Sequence, residues 1–177
     1  VLYVQRGNHS SDSQLWALNA ADGSTKWSTP FSAQWEEYLP PTVTDTSVFT
    51  AGGYYGGTYG FNRTTGAQLF FSSLDQYDGR TPSFYNGKAY SFVTGKFRQH
   101  NPTLGTIDWT LDLTWNWNGY TMGRTMAIAS GAAFVVNNRS PSNELVCIDL
   151  TTQAVRWRVQ TGFAAATPAV AGSSVYA

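Results

Sequence analysis

Apolar and polar residues alternate along this chain in short runs, too short for amphipathic helices and separated by turn-forming clusters. Val1-Leu2-Tyr3-Val4, Leu15-Trp16-Ala17-Leu18-Asn19 and Glu144-Leu145-Val146-Cys147-Ile148-Asp149 are runs of this kind, and alternation over so few residues predicts half-buried β-strands. Between the runs stand Ala21-Asp22-Gly23, Thr64-Thr65-Gly66, Asn86-Gly87 and Ser130-Gly131. Gly supplies positive φ in such turns, and Asn or Asp bonds the turn backbone. The pattern predicts an all-β chain of hairpins.

The hairpins repeat. Pro41-Thr42-Val43, Pro82-Ser83-Phe84, Met126-Ala127-Ile128 and Pro168-Ala169-Val170 start 41, 44 and 42 residues apart, and each is followed eight residues later by an aromatic: Phe49, Tyr90, Phe134 and Tyr176. A second register has the same period. Asn19, Asn62, Asn101 and Asp149 each precede by eight residues a large aromatic, Trp27, Phe70, Trp109 and Trp157, with Gly23, Gly66, Gly105 or Gln153 four residues before it. Each unit divides into four short strands, A to D, with the second aromatic on strand D. One such sheet cannot bury both faces alone, and radial stacking of sheets of this length is a β-propeller.

The expected architecture is therefore a β-propeller of four-stranded antiparallel blades. Its units fall at 1–39, 40–80, 81–124 and 125–166, with the start of another at 167–177. Tyr176 repeats the role of Tyr3, and the chain opens on Val1 directly in a strand. We expect a run of about four blades within a seven- or eight-bladed ring whose other blades lie outside this sequence. Two alternatives stay open: a four-bladed ring closed by Thr167 to Gly172 against Val1 to Val4, and an eight-bladed ring made from two copies. The strand D aromatics are expected to fill the space between blades, each contributing roughly 3–5 kcal/mol when buried.

Ala17-Leu18-Asn19-Ala20-Ala21-Asp22-Gly23-Ser24-Thr25-Lys26-Trp27 resembles the tryptophan-docking motif of the quinoprotein alcohol dehydrogenase-like (PQQ-like repeat) propellers. The other copies are degenerate: Phe70 replaces Trp, Gln153 replaces Gly, and Asn101, Gly105 and Trp109 keep the pattern. The resemblance implies the propeller fold. For activity it implies less, because the repeat serves dehydrogenases, outer-membrane assembly lipoproteins and many secreted proteins. Enzymes of that family hold a quinone with adjacent cysteines, calcium ligands and a catalytic Asp. This chain has one cysteine, Cys147, and most of its acidic residues (Asp12, Asp22, Asp45, Asp75, Asp78, Glu36, Glu37) fall in turns or linkers. No cofactor is expected; pyrroloquinoline quinone and calcium enter only under the alternative of a dehydrogenase whose ligands lie elsewhere.

Composition narrows the partners. Eleven basic and eleven acidic residues give a formal net charge of zero, which offers no electrostatic footprint for nucleic acid, and no apolar run reaches the length of a membrane span. A single cysteine excludes an internal disulfide framework, and its apolar flanks predict a buried thiol. His9 and His100 lack ligand spacing, and the Gly52 to Gly57 stretch lacks the Lys and following helix of a phosphate loop.

Candidate chemistry lies in the connections from strand D to the next strand A, which are rich in aromatics. Trp35, Tyr38, Tyr77, Trp115, Trp117, Tyr120 and Arg124 are candidates for stacking on a sugar or anchoring a protein; packing of the blade rim is the competing role. Three Asn-x-Ser/Thr sequons, at Asn8, Asn62 and Asn138, are candidate glycosylation sites of a secreted protein. The expectation is a non-catalytic, extracellular or periplasmic scaffold binding protein, glycan or further blades, including its own copies. The alternatives are a dehydrogenase piece and a structural repeat of a filament or shell.

Overall fold

The computed structural model describes residues 1–6, 13–33, 40–53, 56–75, 82–114, 125–138, 143–162 and 167–177, and every element among them is a β-strand. Blade 1 is a three-stranded antiparallel sheet of β1 (Leu2–Arg6), β2 (Gln14–Leu18) and β3 (Thr25–Pro30). Blade 2 has four strands, β4 (Thr42–Val43), β5 (Ser47–Ala51), β6 (Gly57–Asn62) and β7 (Gln68–Ser73), in sequence order. Blade 3 repeats it with β8 (Ser83–Tyr85), β9 (Lys88–Val93), β10 (Lys96–His100) and β11 (Ile107–Asp112). Blade 4 does so with β12 (Ala127–Ala129), β13 (Ala132–Asn137), β14 (Asn143–Asp149) and β15 (Ala154–Gly162). A last hairpin pairs β16 (Ala169–Ala171) with β17 (Ser174–Tyr176).

These are the blades that the repeat predicts, with two differences. Blade 1 holds strands B, C and D, because Tyr3 already sits in the strand B phase. The closure of Thr167 to Gly172 against Val1 to Val4 is not formed either: β16 pairs with β17, and β1 with β2, in separate sheets.

Local chemistry explains the hairpins. Asn86 and Gly87 take φ of 47° and 74°, and Ser130 and Gly131 take 50° and 73°. Two successive positive φ values make the tight turn whose twist matches that of paired strands. The longer turn between strands C and D is built by an Asx side chain. Asn62 Oδ1 accepts the N–H groups of Thr64 and Thr65, Asn101 Oδ1 those of Thr103 and Leu104, and Asp149 Oδ1 those of Thr151 and Thr152. Gly23, Gly66 and Gly105 then reverse the chain at φ of 71° to 75°. Gln153 takes the same left-handed conformation, at 59°, so the turn persists where glycine is replaced.

Every blade carries a bulge at one place. The register shifts between Ala17 and Leu18, Gly60 and Phe61, Gln99 and His100, and Cys147 and Ile148. In each case the extra residue precedes the strand D aromatic, so Lys26, Leu69, Asp108 and Arg156 are pushed out of the ladder. A bulge re-aims the next side chain, here Trp27, Phe70, Trp109 or Trp157.

The core lies between blades. Leu15, Phe31, Val48, Tyr59 and Phe61, with Tyr3 and Trp27, fill the layer between blades 1 and 2. Tyr90, Phe97 and Leu113 meet Ala133, Val135, Val146 and Ile148 between blades 3 and 4. Alternation turns Ser91, Arg98 and His100 the other way, toward blade 2, where Ser91 Oγ lies 2.7 Å from His100 Nε2. The short A strands neighbour one another in succession, β4 with β8, β8 with β12 and β12 with β16. Thr42 Oγ1 donates to Pro82 O and Ser83 Oγ to Met126 O across that inner line.

Candidate assembly interface

The joint between blades 1 and 2 shows how one sheet is received by the next. The bulge at Lys26 directs Trp27 against the blade 2 turn, where a Cβ on Gly66 would lie 2.6 Å from the indole. Glycine therefore serves twice there, through its positive φ and through the missing side chain. Trp27 Nε1 donates to Arg63 O at 3.3 Å, Tyr3 Oη to the same oxygen at 3.1 Å, and Thr29 Oγ1 to Gly66 O at 2.6 Å. These donors satisfy carbonyls of a turn that water would otherwise solvate.

The second joint repeats the shape without the donor. Phe70 lies over Gly105, against which any Cβ would clash, and its ring also rests 5.8 Å from Phe49. Ser47 Oγ donates to Pro102 O at 3.1 Å. The third joint departs from the pattern, because Gln153 carries the Cβ that Gly66 and Gly105 lack. Trp109 there packs beside Phe97 at 5.4 Å, in the layer that also holds Leu150 and Val155 of blade 4. Its buried Nε1 finds no partner among the described residues.

The two ends of the blade series present the halves of this joint. On blade 1 the outward residues Leu2 and Val4 are 54% and 40% exposed, opposite Leu18 and Trp16 in the ladder. The equivalent positions inside the series, Val48 and Thr50, Ala89 and Ser91, Ala133 and Val135, are all buried. Gly23 has the turn geometry of Gly66, yet among the described residues nothing lies within 4 Å of where its Cβ would be. On blade 4, Trp157 is 39% and Val159 55% exposed, and Trp157 meets Phe134 with ring centroids 6.0 Å apart. Trp157 stands at the strand D position that Trp27 and Trp109 hold between blades, on the side of the β16–β17 hairpin. The β16–β17 hairpin covers only the inner part of that face, placing Val170 and Val175 against Phe134, Val136 and Cys147.

Buried charge holds the connections in place. Asp75, just past β7, accepts from Thr94 Oγ1 at 2.8 Å and from Arg98 at 3.0 Å, with Lys96 at 3.5 Å. The Thr94 hydroxyl, then the Arg98 guanidinium, hold its carboxyl below the usual range. Glu144 accepts from Arg158 at 2.5 Å and from Asn137 Nδ2 at 3.0 Å, while the same Nδ2 reaches Thr114 O at 3.1 Å. Both acids thus tie a strand D connection to the blade that follows it. Cys147 is a free, buried thiol as its flanks predict, and burial raises its pKa. Asp75 and Glu144 are each paired with an arginine. Among the described residues no three His, Cys, Asp or Glu gather as a metal site, and no helix is long and apolar enough to cross a membrane.

Trp35, Tyr38, Tyr77, Trp115, Trp117, Tyr120 and Arg124 all lie outside the described residues, as does Asn8. The turn residues Asn19, Asn62, Asn101 and Asp149 stand where the repeat places them. The Asn62 side chain is engaged in its turn, and Asn138, expected in an exposed loop, is buried just past β13. A depression of about 380 Å³ at the starts of β4, β8 and β12 is lined by Pro41, Thr42, Pro82, Ser83, Phe84 and Ile128. The exposed residues Leu2, Val4 and Val159 were not singled out by the motif, although their repeat positions mark them as half of a blade joint.

The sequence matches no protein-family model and no curated relative. Solved structures share the fold. BamB from Moraxella catarrhalis aligns with a TM-score of 0.72 at 14% identity, over 92% of this chain and 48% of its own. The computationally designed Ika8 protein aligns at 0.64 and 11% identity, over 99% and 52%. Quinohemoprotein alcohol dehydrogenase from Comamonas testosteroni aligns at 0.57 and 15% identity, over 68% and 20%. The chain thus spans about half the length of the first two and a fifth of the third.

Proposed function

We propose that this β-propeller chain is part of a non-catalytic scaffold that binds protein, glycan or further propeller blades, outside the cell or in the periplasm. One observation carries the reading: Leu2, Val4, Trp157 and Val159 are exposed at repeat positions whose interior counterparts are buried or half-buried. Apolar sheet faces of this kind mark interaction surfaces. The aromatic connections at Trp35, Tyr38, Tyr77, Trp115, Trp117, Tyr120 and Arg124 offer a second contact region for protein or glycan. A glycan at Asn8 is a further feature of the secreted form.

The rival is a quinone-dependent dehydrogenase, the activity named for some structural neighbours. The protein as its source produces it, supplied with calcium, pyrroloquinoline quinone, an electron-accepting dye and a panel of alcohols and aldoses, distinguishes the two. The scaffold reading predicts no dye reduction above a protein-free control. Substrate-dependent reduction that requires the added quinone would overturn it.

A further inference from the structure

We infer that the joint between blades 2 and 3 holds a small inorganic anion, the size of chloride, gripped by Arg98 and Thr58. The site lies inside the blade series and goes beyond the scaffold reading above.

The repeat shows that this joint is built differently from its neighbours. Ala17, Gly60, Gln99 and Cys147 are the strand C residues opposite the four strand D aromatics. Two residues before each of them the side chain turns to the following blade, and one residue before it turns to the preceding blade. These two positions meet across a joint. Between blades 1 and 2 they are Leu15 and Tyr59, which share one apolar cluster. Between blades 3 and 4 they are Phe97 and Val146, which share another. Between blades 2 and 3 they are Thr58 and Arg98, both buried. The same face of blade 3 carries Ser91 and His100 where blade 4 has Val135 and Ile148, and all four are buried. Polar groups placed where the other joints pack hydrocarbon cost stability unless they find partners.

Part of that compensation comes from the chain. Asp75 accepts from Arg98 Nη2 at 3.0 Å, and Ser91 and His100 face each other at 2.7 Å. Arg98 Nη1 and Thr58 Oγ1 remain, both buried and without a partner among the described residues. Each can donate a hydrogen bond, so what they lack in common is an acceptor.

Charge points to the kind of acceptor. Lys96 and Arg98 turn to this joint together and share the carboxylate of Asp75, at 3.5 Å and 3.0 Å. Asp112, opposite Lys96 in the ladder, is exposed and holds the Thr114 N–H at 2.8 Å. The guanidinium therefore repels a cation and favours an anion, which supplies the acceptor and negative charge in one group. Both donor atoms are closed off from solvent, between sheets that pack roughly 10 Å apart, which suits a single halide rather than an organic anion.

Two measurements on the protein as its source produces it test the inference. Crystals grown in sodium bromide are expected to show an anomalous peak within hydrogen-bond reach of Arg98 Nη1 and Thr58 Oγ1. A water at that place, or no peak, would overturn the site. Thermal melts in sodium chloride and in sodium gluconate of equal ionic strength then separate a working site from an adventitious ion only. Wild type is expected to melt about 2–4 °C higher in chloride, and Thr58→Val and Arg98→Met are expected to lose that difference. Thr58→Val keeps the shape of the side chain and removes its hydroxyl, so it tests the site without breaking the Asp75 pair. A chloride effect undiminished in both variants, or none in wild type, would overturn the inference. Neither result bears on the quinone assay, where dye reduction alone removes the scaffold reading.

Discussion

Trp27 of blade 1 lies so close over Gly66 of blade 2 that a methyl group on the glycine would sit 2.6 Å from the ring. Gly66 is also at φ +75°, so Gly66→Ala meets overpacking and backbone strain together. We expect it to cost about 2–4 kcal/mol. Gly23→Ala, with the same backbone but open space around it, should cost only about 1–2 kcal/mol. Urea denaturation of the two variants checks the difference. Equal losses would mean that the indole does not depend on the missing side chain.

The two interior indoles differ in their hydrogen bonding. Trp27 Nε1 donates to Arg63 O, while Trp109 Nε1 is buried without a partner among the described residues. Replacing either by Phe removes similar area, but Trp27→Phe loses a hydrogen bond whereas Trp109→Phe removes a buried donor that had no partner. Trp27→Phe should therefore be the more destabilising, by about 1 kcal/mol. Thermal melts of the two variants give the comparison.

Asp75 neutralises a guanidinium whose side chain is only 9% exposed. Asp75→Ala leaves Arg98 buried and uncompensated. Because Asp75 itself is partly exposed, the cost should fall below that of a fully buried pair, at about 2 kcal/mol. Arg98→Met in the same background should restore part of the loss, since the buried charge is then gone. A double variant no more stable than Asp75→Ala in chemical denaturation would count against this pairing.

Asp149 has its pKa lowered to about 2, first by the Thr152 N–H and then by the Arg156 side chain. A carboxylate whose folded pKa is depressed contributes stability that is complete above its ordinary value near 4 and is lost as pH falls toward the folded value. Melting temperature should thus fall between about pH 4 and pH 2. Asp149→Asn keeps the Asx turn, as Asn62 and Asn101 show, but removes this titration. Its melting temperature should fall less than that of wild type over the same interval, and parallel pH profiles would contradict the assignment.

Much of the fold was legible because one geometric requirement recurs. The Asn or Asp that caps each turn, the left-handed residue after it and the aromatic four positions later must keep their spacing for the joint to form, so Asn62, Gly66 and Phe70 announce themselves. The bulge was hidden, since it is a property of pairing and Lys26, Leu69, Asp108 and Arg156 share no chemistry. Asp75 read only as a linker acid, because its partner Arg98 is distant in sequence and belongs to another blade. The residues of the end faces were not singled out for a different reason: Leu2 and Val159 are ordinary strand residues, and only the burial of their interior counterparts gives their exposure meaning.

The central claim is that each open half of the blade joint receives a further blade. Hydrogen–deuterium exchange of this chain alone and in its native assembly tests it most directly, because it shows where a further blade packs. The account predicts added protection in the native assembly in β1, at the Gly23 turn and in β15 and β16, with the interior blades unchanged. Protection that is the same in both, or that grows only elsewhere, would contradict it.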